Sequence, residues 1–412
     1  MRPASAPMLP RQTVLLVLVA ALGYFVDVYD LLLFSLLRAP SLAALGVAPA
    51  DLLSQGLRIL NWQAAGLLLG GILWGVLGDK RGRLSVLFGS ILLYSLANLL
   101  NGLVQTVDQY AVLRFVAGLG LAGELGAGVT LVAELLPRER RGLGTSIVAG
   151  VGVLGGVFGT WVAGSSDWRH AYFLGGGLGL ALLGLRLGVA ESRLFERAAS
   201  GDGPRGDLAM LLRPVSRLLR YLRVIAIGLP LWYLIGILIT FCPEFGRAFG
   251  LEQAPNAGFA VSIYYAGLAV GDLSSGLVSQ WLRSRRRAIA LFLCCQALGV
   301  GLYFSLGRVS LDAFYACCVF LGVAGGYWAL FVTVGAEQFG TNLRATVATT
   351  APNMVRGALM PMTLAFNGFR SGGLGLPASA LLLGAMVFGI AVWGLSGTEE
   401  SYGKDLDYLE AG

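Results

Sequence analysis

Charge is what this sequence has least of. Only 13% of its 412 residues are Asp, Glu, Lys or Arg, against roughly 25% in a soluble globular protein, too few to cover a water-soluble body of this length. Histidine is nearly absent: the single one, His170, lies beside Trp168 and Arg169 in a short polar stretch, which argues against a histidine-borne proton relay. The five cysteines, Cys242, Cys294, Cys295, Cys317 and Cys318, sit within or at the edge of apolar runs and two sets are sequence neighbours. Such a pattern suggests no disulfide framework and leaves them as small core residues. There is no metal-ligand cluster, no nucleophile elbow and no phosphate loop, so the sequence is not expected to be an enzyme, and neither a metal nor a cofactor is called for.

What is abundant is apolar length. Hydrophobic residues make up 56% of the chain, and runs of about 20 of them recur, each long enough to cross roughly 30 Å of hydrocarbon as a helix. The first, Thr13 to Leu37, follows Arg2 and Arg11 but is too long for a signal-peptide core and lacks a convincing cleavage site. Breaks at charged and Gly/Pro clusters place spans near 13–37, 58–78, 84–105, 109–134, 143–164 and 171–190, then 222–246, 257–281, 288–307, 312–337, 346–369 and 377–396. The expected fold is therefore all-α: a polytopic membrane protein of twelve transmembrane helices in two pseudo-symmetric six-helix bundles. Its expected units are an N-terminal bundle (1–192), a linker (193–220), a C-terminal bundle (221–397) and a tail (398–412).

Basic residues set the orientation. Lys80, Arg81 and Arg83 follow the second span, Arg138, Arg140 and Arg141 the fourth, Arg193 through Arg223 fill the linker, and Arg283, Arg285, Arg286 and Arg287 follow the eighth; the opposite loops hold isolated arginines such as Arg38, Arg169, Arg247 and Arg308. The positive-inside rule puts both termini and the linker in the cytoplasm of a plasma (inner) membrane. The net charge of +7 is thereby explained by topology, and no nucleic-acid partner is needed. Arg213, Arg217 and Arg220 recur at helical spacing, compatible with an inner-leaflet contact, although topogenesis alone accounts for them. The halves also repeat: at an offset of 203, A-E-L-L-P-R-E-R-R-G (133–142) meets A-E-Q-F-G-T-N-L-R-A (336–345), and Gly123, Thr130 and Glu124 meet Gly326, Thr333 and Tyr327. Repeated bundles with a cavity between them suit alternating access.

Several motifs carry a family resemblance. G-V-L-G-D-K-R-G-R (75–83) is similar to the loop 2–3 signature of the major facilitator superfamily, and R-F-V-A-G-L-G (114–120) to its fourth-helix motif. The longer string from Arg114 through Gly118, Gly120, Gly123, Glu124, Glu134 and Pro137 to Arg141 and Gly142 resembles the sugar-porter and metabolite:proton-symporter branch. So do Glu191-Ser192 and E-E-S-Y-G-K-D-L after the sixth and twelfth spans. The D-x-x-D-L of the first helix is similar to organic-acid:proton symporters of that branch. This resemblance implies a conformational latch of Gly75, Asp79, Arg81, Gly82, Arg83, Glu134 and Arg141. Leu84 stands where a second basic residue often closes the loop motif, the fifth span lacks the proline of drug antiporters, and Ala190 replaces the proline of the sugar-porter Pro-Glu-Ser.

An ionised side chain near the bilayer centre costs at least ~2.5–3.5 kcal/mol and is a functional candidate by default. Asp27 and Asp30 share a face of the first span, Arg114 and Glu124 lie in the fourth, Asp272 in the eighth, and Asn353 and Arg356 share a face of the eleventh. Helical rise brings Asp30 and Arg114 to one level, where they are expected to face each other. Desolvation disfavours the charged form of a carboxylate, so Asp27, Asp30 and Glu124, with Arg114, are the proton-coupling candidates. Arginine stays charged and offers several donors to a carboxylate, so Arg356 with Asn353 is expected to hold an anionic substrate group, with Tyr327, Trp232 and Tyr233 alongside; a structural Arg356–Asp272 pair is the competing reading. The expectation is a monomeric, proton-coupled symporter of a small organic acid or related metabolite. A facilitator or a proton-coupled efflux antiporter on the same fold stays open, and a transporter-like receptor is the remote alternative.

Overall fold

A computed structural model describes residues 10–81, 83–124, 138–190, 208–403 and 408–410. The first half comprises α1 (Pro10–Ala44), α2 (Leu52–Arg81), α3 (Arg83–Asn101), α4 (Val107–Leu121), α5 (Arg138–Ser165) and α6 (Trp168–Ala190). After a short α7 (Leu208–Leu212), the seventh span is built in pieces: α8 (Val215–Tyr233), a π-helical stretch (Leu234–Ile239) and α9 (Cys242–Phe249). Then come α10 (Ala257–Trp281), α11 (Arg285–Ser305), α12 (Leu311–Gly325) and α13 (Trp328–Glu337), which together form the tenth span, α14 (Thr341–Gly357) and α15 (Leu359–Ser371), which form the eleventh, and α16 (Leu376–Ser396). Each of the twelve spans read from the hydropathy pattern is helical over most of its described length. The helix of the seventh begins at Val215, inside the stretch 193–220 read as linker.

Among the described residues, six helical stretches are long and apolar enough to cross a membrane by length and composition alone. Two more, Val86–Asn101 and Val151–Ser165, are apolar but shorter in their described residues, and others carry Gly, Ser, Thr and Asn where their surface faces protein. α14, with Asn342, Thr346, Thr349, Thr350 and Asn353, packs against α2, α8 and α13 and is the clearest case.

Within the halves, α1 packs on α5, α2 on α4, and α3 on α4 and α6; in the second half α10 packs on α12, α11 on α12, and α8 on α14 and α16. The halves meet chiefly through α2 against α14 and α5 against α10, the second span with the eleventh and the fifth with the eighth. Advancing each member by six spans turns one contact into the other, as a two-fold repeat requires. Backbone approach follows the same repeat. A Cβ on Gly118 of α4 would strike the Gln63 carbonyl of α2, and one on Gly322 of α12 would strike the Tyr264 carbonyl of α10. Only glycine lets these helices meet so closely.

At the end remote from the tail the halves are joined by Arg38 and Glu244, 2.8 Å apart with side chains 2% and 9% exposed. Arg38 also donates to the Leu52 carbonyl (3.2 Å) and lies 4.5 Å from the Phe241 ring centroid. The sequence placed Arg38 in a loop as an isolated charge; α1 runs seven residues further than the apolar run and buries it.

Candidate functional site

Two adjoining cavities lie between the halves and share Leu31, Trp232, Ile235 and Arg356 in their walls. One is completed by Ser35, Gln63, Thr240 and Leu359, the other by Tyr24, Tyr264, Tyr265, Trp328 and Asp272. The seventh span opens its wall here through the π-helical turn, a local widening found often at functional sites. Gly236 sits in that turn, where a Cβ would collide with Leu359. Thr240 closes it, donating to the Ile235 carbonyl (2.7 Å) and lying 3.1 Å from Ser35 of the other half.

α14 delivers Arg356 to the junction of the two cavities, where its Nη2 meets Asp27 Oδ2 of α1 at 3.2 Å, with side chains 2% and 0% exposed. This ion pair crosses from one half to the other. Nε and Nη1 of Arg356 and Oδ1 of Asp27 have no hydrogen-bond partner. Asn353, one turn earlier, donates to the Ala122 carbonyl across the interface (2.6 Å) and to Thr349 (3.1 Å). Asp272 is not the partner of Arg356: its carboxylate accepts from the Ala329 amide (3.2 Å) at the start of α13, where a helix N-terminus favours negative charge.

Asp30 lies inside the first bundle, 0% exposed, with its Oδ1 beside Gly175 of α6. Arg114 reaches it, but not as expected. Its Nη2 donates to the Asp30 main-chain carbonyl (3.1 Å), Nη1 to Asn98 (3.2 Å) and Nε to Gln63 (3.3 Å), while both Asp30 carboxylate oxygens are without a hydrogen bond. Gln63 lines the central cavity and donates to the Leu31 carbonyl (3.1 Å), so one side chain touches both the cavity and the Arg114 cluster.

Glu124 is held by Arg186 of α6 through two hydrogen bonds, Nη1 to Oε2 at 3.1 Å and Nη2 to Oε1, with side chains 2% and 4% exposed. Sequence reasoning passed over Arg186, although an arginine inside the sixth apolar span was a visible signal. Two other expectations are corrected. Tyr327 donates to the Ile227 carbonyl (2.9 Å) and Tyr233 to the Ala380 carbonyl (2.8 Å). Each hydroxyl is satisfied inside its own half and lines neither cavity. Trp232, by contrast, lines both, while Trp62 is 41% exposed and packs on Phe115. Of the latch residues, Gly75 lies half-buried in α2. Gly82, Glu134 and the side chains of Asp79, Arg81, Arg83 and Arg141 lie outside what the structure describes.

A family model described as Major Facilitator Superfamily matches residues 14–360. A putative metabolite transport protein of Haemophilus influenzae is 27% identical over 358 residues, covering 82% of this chain and 84% of that protein. The 3-(3-hydroxy-phenyl)propionate transporter of Escherichia coli is 27% identical over 369 residues, covering 87% and 89%. Among solved structures, a proton:xylose symporter bound to a bromo-deoxyglucose superimposes with a TM-score of 0.69 at 18% identity, over 96% of this chain and 98% of that one.

Proposed function

Given that the chain belongs to the Major Facilitator Superfamily, a multi-pass membrane transporter of metabolites or organic acids and not an enzyme, we propose that it imports a small organic acid together with a proton. The observation that carries this reading is the Asp27–Arg356 pair, which joins the halves through the cavity-lining Arg356, two of whose nitrogens have no acceptor.

The chemistry follows from competition for one cation. A substrate carboxylate entering the cavity takes the free donors of Arg356 and loosens its bond to Asp27. An ionised carboxylate stranded in a dry interior is expensive, so the displaced Asp27 is relieved by a proton. Asp30, one turn further along α1 and without a hydrogen bond on its carboxylate, is the second carrier, with Arg114 setting the local field. Once substrate and proton are both aboard, the central tie between the halves is broken, which favours opening of the cavity to the other face. Glu124, locked to Arg186, holds the first bundle together at that level. Tyr24, Trp232, Tyr264, Tyr265 and Trp328 supply flat apolar walls, which suit a planar acid of the kind that names the Escherichia coli relative. In this reading the protein works as a monomer in the plasma membrane with both termini cytoplasmic. The second-to-third-span motif, Gly75 to Arg83, with Glu134 and Arg141, latches the cytoplasmic end.

The test is uptake into proteoliposomes under imposed pH gradients. Asp27→Asn and Asp30→Asn should abolish accumulation while leaving counterflow exchange; undiminished gradient-driven accumulation in both removes them from coupling. Accumulation driven by an inward-alkaline gradient separates symport from efflux antiport, and no response to either gradient marks a facilitator.

A further inference from the structure

The first bundle contains buried polar groups that the substrate cavity does not use. They lie along one face of α6. Gly175 and Gly179 are one turn apart, and Arg186 is eleven residues beyond Gly175, which at about 100° per residue returns to the same face some 16 Å along the axis. A Cβ on Gly175 would collide with Asp30 Oδ1, and one on Gly179 with Ser95 Oγ and the Tyr94 ring. At the far end of the stripe Arg186 meets Glu124 beside Gly23 of α1, two turns before Asp30. The bare glycine face thus leaves room for polar groups that a side chain would fill.

These groups are deeply buried and poorly satisfied. Asp30, Tyr94, Ser95 and Asn98 are each 0% exposed. Both carboxylate oxygens of Asp30, the Tyr94 hydroxyl, Ser95 Oγ and Asn98 Nδ2 lack a hydrogen-bond partner. Native interiors rarely leave such atoms unpaired, and water commonly fills the role. The Tyr94 ring lies against Gly179, between Gly175, which meets Asp30, and Arg186, which holds Glu124. Tyr29 also packs here, but its hydroxyl is committed to the Ala171 carbonyl at 2.8 Å. None of Tyr94, Ser95, Asn98 and Arg186 lines the central cavity.

We propose that Asp30, Asn98, Ser95, Tyr94 and the Glu124–Arg186 pair form a hydrated proton route inside the first bundle, separate from the path of the substrate. Through intervening water, the Tyr94 hydroxyl accepts a proton from the Asp30 side and releases its own toward Glu124, ending in its starting form. Asp27 is held by Arg356 of the cavity wall and Asp30 belongs to the route, so α1 stands between the paths of substrate and proton. This rests on the reading of Asp30 as a proton carrier, and the test keeps the two claims apart.

The experiment follows hydrogen–deuterium exchange of the Asp30 carboxyl by infrared difference spectroscopy on the full-length purified protein after a jump into heavy water. A protonated-carboxyl band in the wild type that disappears in Asp30→Asn establishes the carrier. Tyr94→Phe, which removes one oxygen, should slow deuteration of that band at least tenfold, and Ser95→Ala should slow it several-fold. Should Tyr94→Phe fail to fold, Ser95→Ala and Asn98→Leu carry the same expectation. Wild-type exchange rates in these variants, with the Asp30 band intact, overturn the route alone. A wild-type spectrum in which no band is lost on Asp30→Asn overturns the carrier and the route together.

Discussion

Arg38 and Glu244 form a buried ion pair, 2.8 Å long, that ties the far end of α1 to α9 in the other half. Gly56 of α2 makes the space: a Cβ there would collide with the aliphatic part of Arg38. Together with Ser35–Thr240 and the Thr363–Asn61 hydrogen bond, the pair closes the halves on the side away from the tail.

Glu244→Gln should therefore favour opening on that side. A cysteine placed at Ser35, between this pair and Arg356, should react with a membrane-impermeant maleimide several-fold faster in the Glu244→Gln background. An unchanged rate would mean that the pair does not hold the closure.

Removing one member of the central pair strands the other. Breaking a buried pair typically costs about 3–5 kcal/mol, whereas losing both members costs far less. Arg356→Gln should lower the thermal unfolding temperature in detergent, and adding Asp27→Asn to it should restore most of the loss. Arg356→Lys keeps the charge but not the forked donors, and should raise the KM for uptake at least tenfold. Additive losses in the double variant would contradict the pairing.

Acid should loosen the tail. Partial burial pushes the Glu400 carboxyl up, but hydrogen bonds from Ser284 and the Tyr402, Arg285 and Arg286 amides outweigh it and hold the group below the ordinary carboxylate range. A carboxylate with a depressed folded-state value stabilises the fold above its unfolded value, and that contribution is lost as pH falls through the folded one. The acid-side increase in proteolysis after Ser396 should thus be present in the wild type and absent in Glu400→Gln, which is loosened at every pH. Identical pH profiles would contradict the assignment.

The span pattern was legible because burial in lipid demands long apolar runs, and helix ends fall where charges and Gly/Pro clusters stop them. Asp27 and Arg356 were each legible as charges in an apolar run. Their pairing was not, since they are 329 positions apart and helical rise gives depth without azimuth. The same lack of azimuth explains Asp30, which shares a level with Arg114 but offers it a carbonyl. Tyr233 and Tyr327 were misplaced because a tyrosine hydroxyl is as readily satisfied by a main-chain carbonyl in its own bundle as by a cavity. Arg186 shows the reverse: a lone arginine in an apolar span signals a buried carboxylate partner, here Glu124.

The central claim is that a substrate carboxylate and a proton move together because Arg356 cannot serve the substrate and Asp27 at once. Asp27 and Arg356 are matched one to one, with side chains 0% and 2% exposed, so one added carboxylate at Arg356 calls for one proton. The decisive measurement is simultaneous recording of substrate uptake and internal pH in proteoliposomes loaded with a pH-sensitive dye, with and without a clamped membrane potential. The account predicts one proton entering per monocarboxylate, a rate insensitive to the potential, and loss of the pH signal with retained exchange in Asp27→Asn. Substrate entry without a pH change, or a rate that follows the potential, would contradict it.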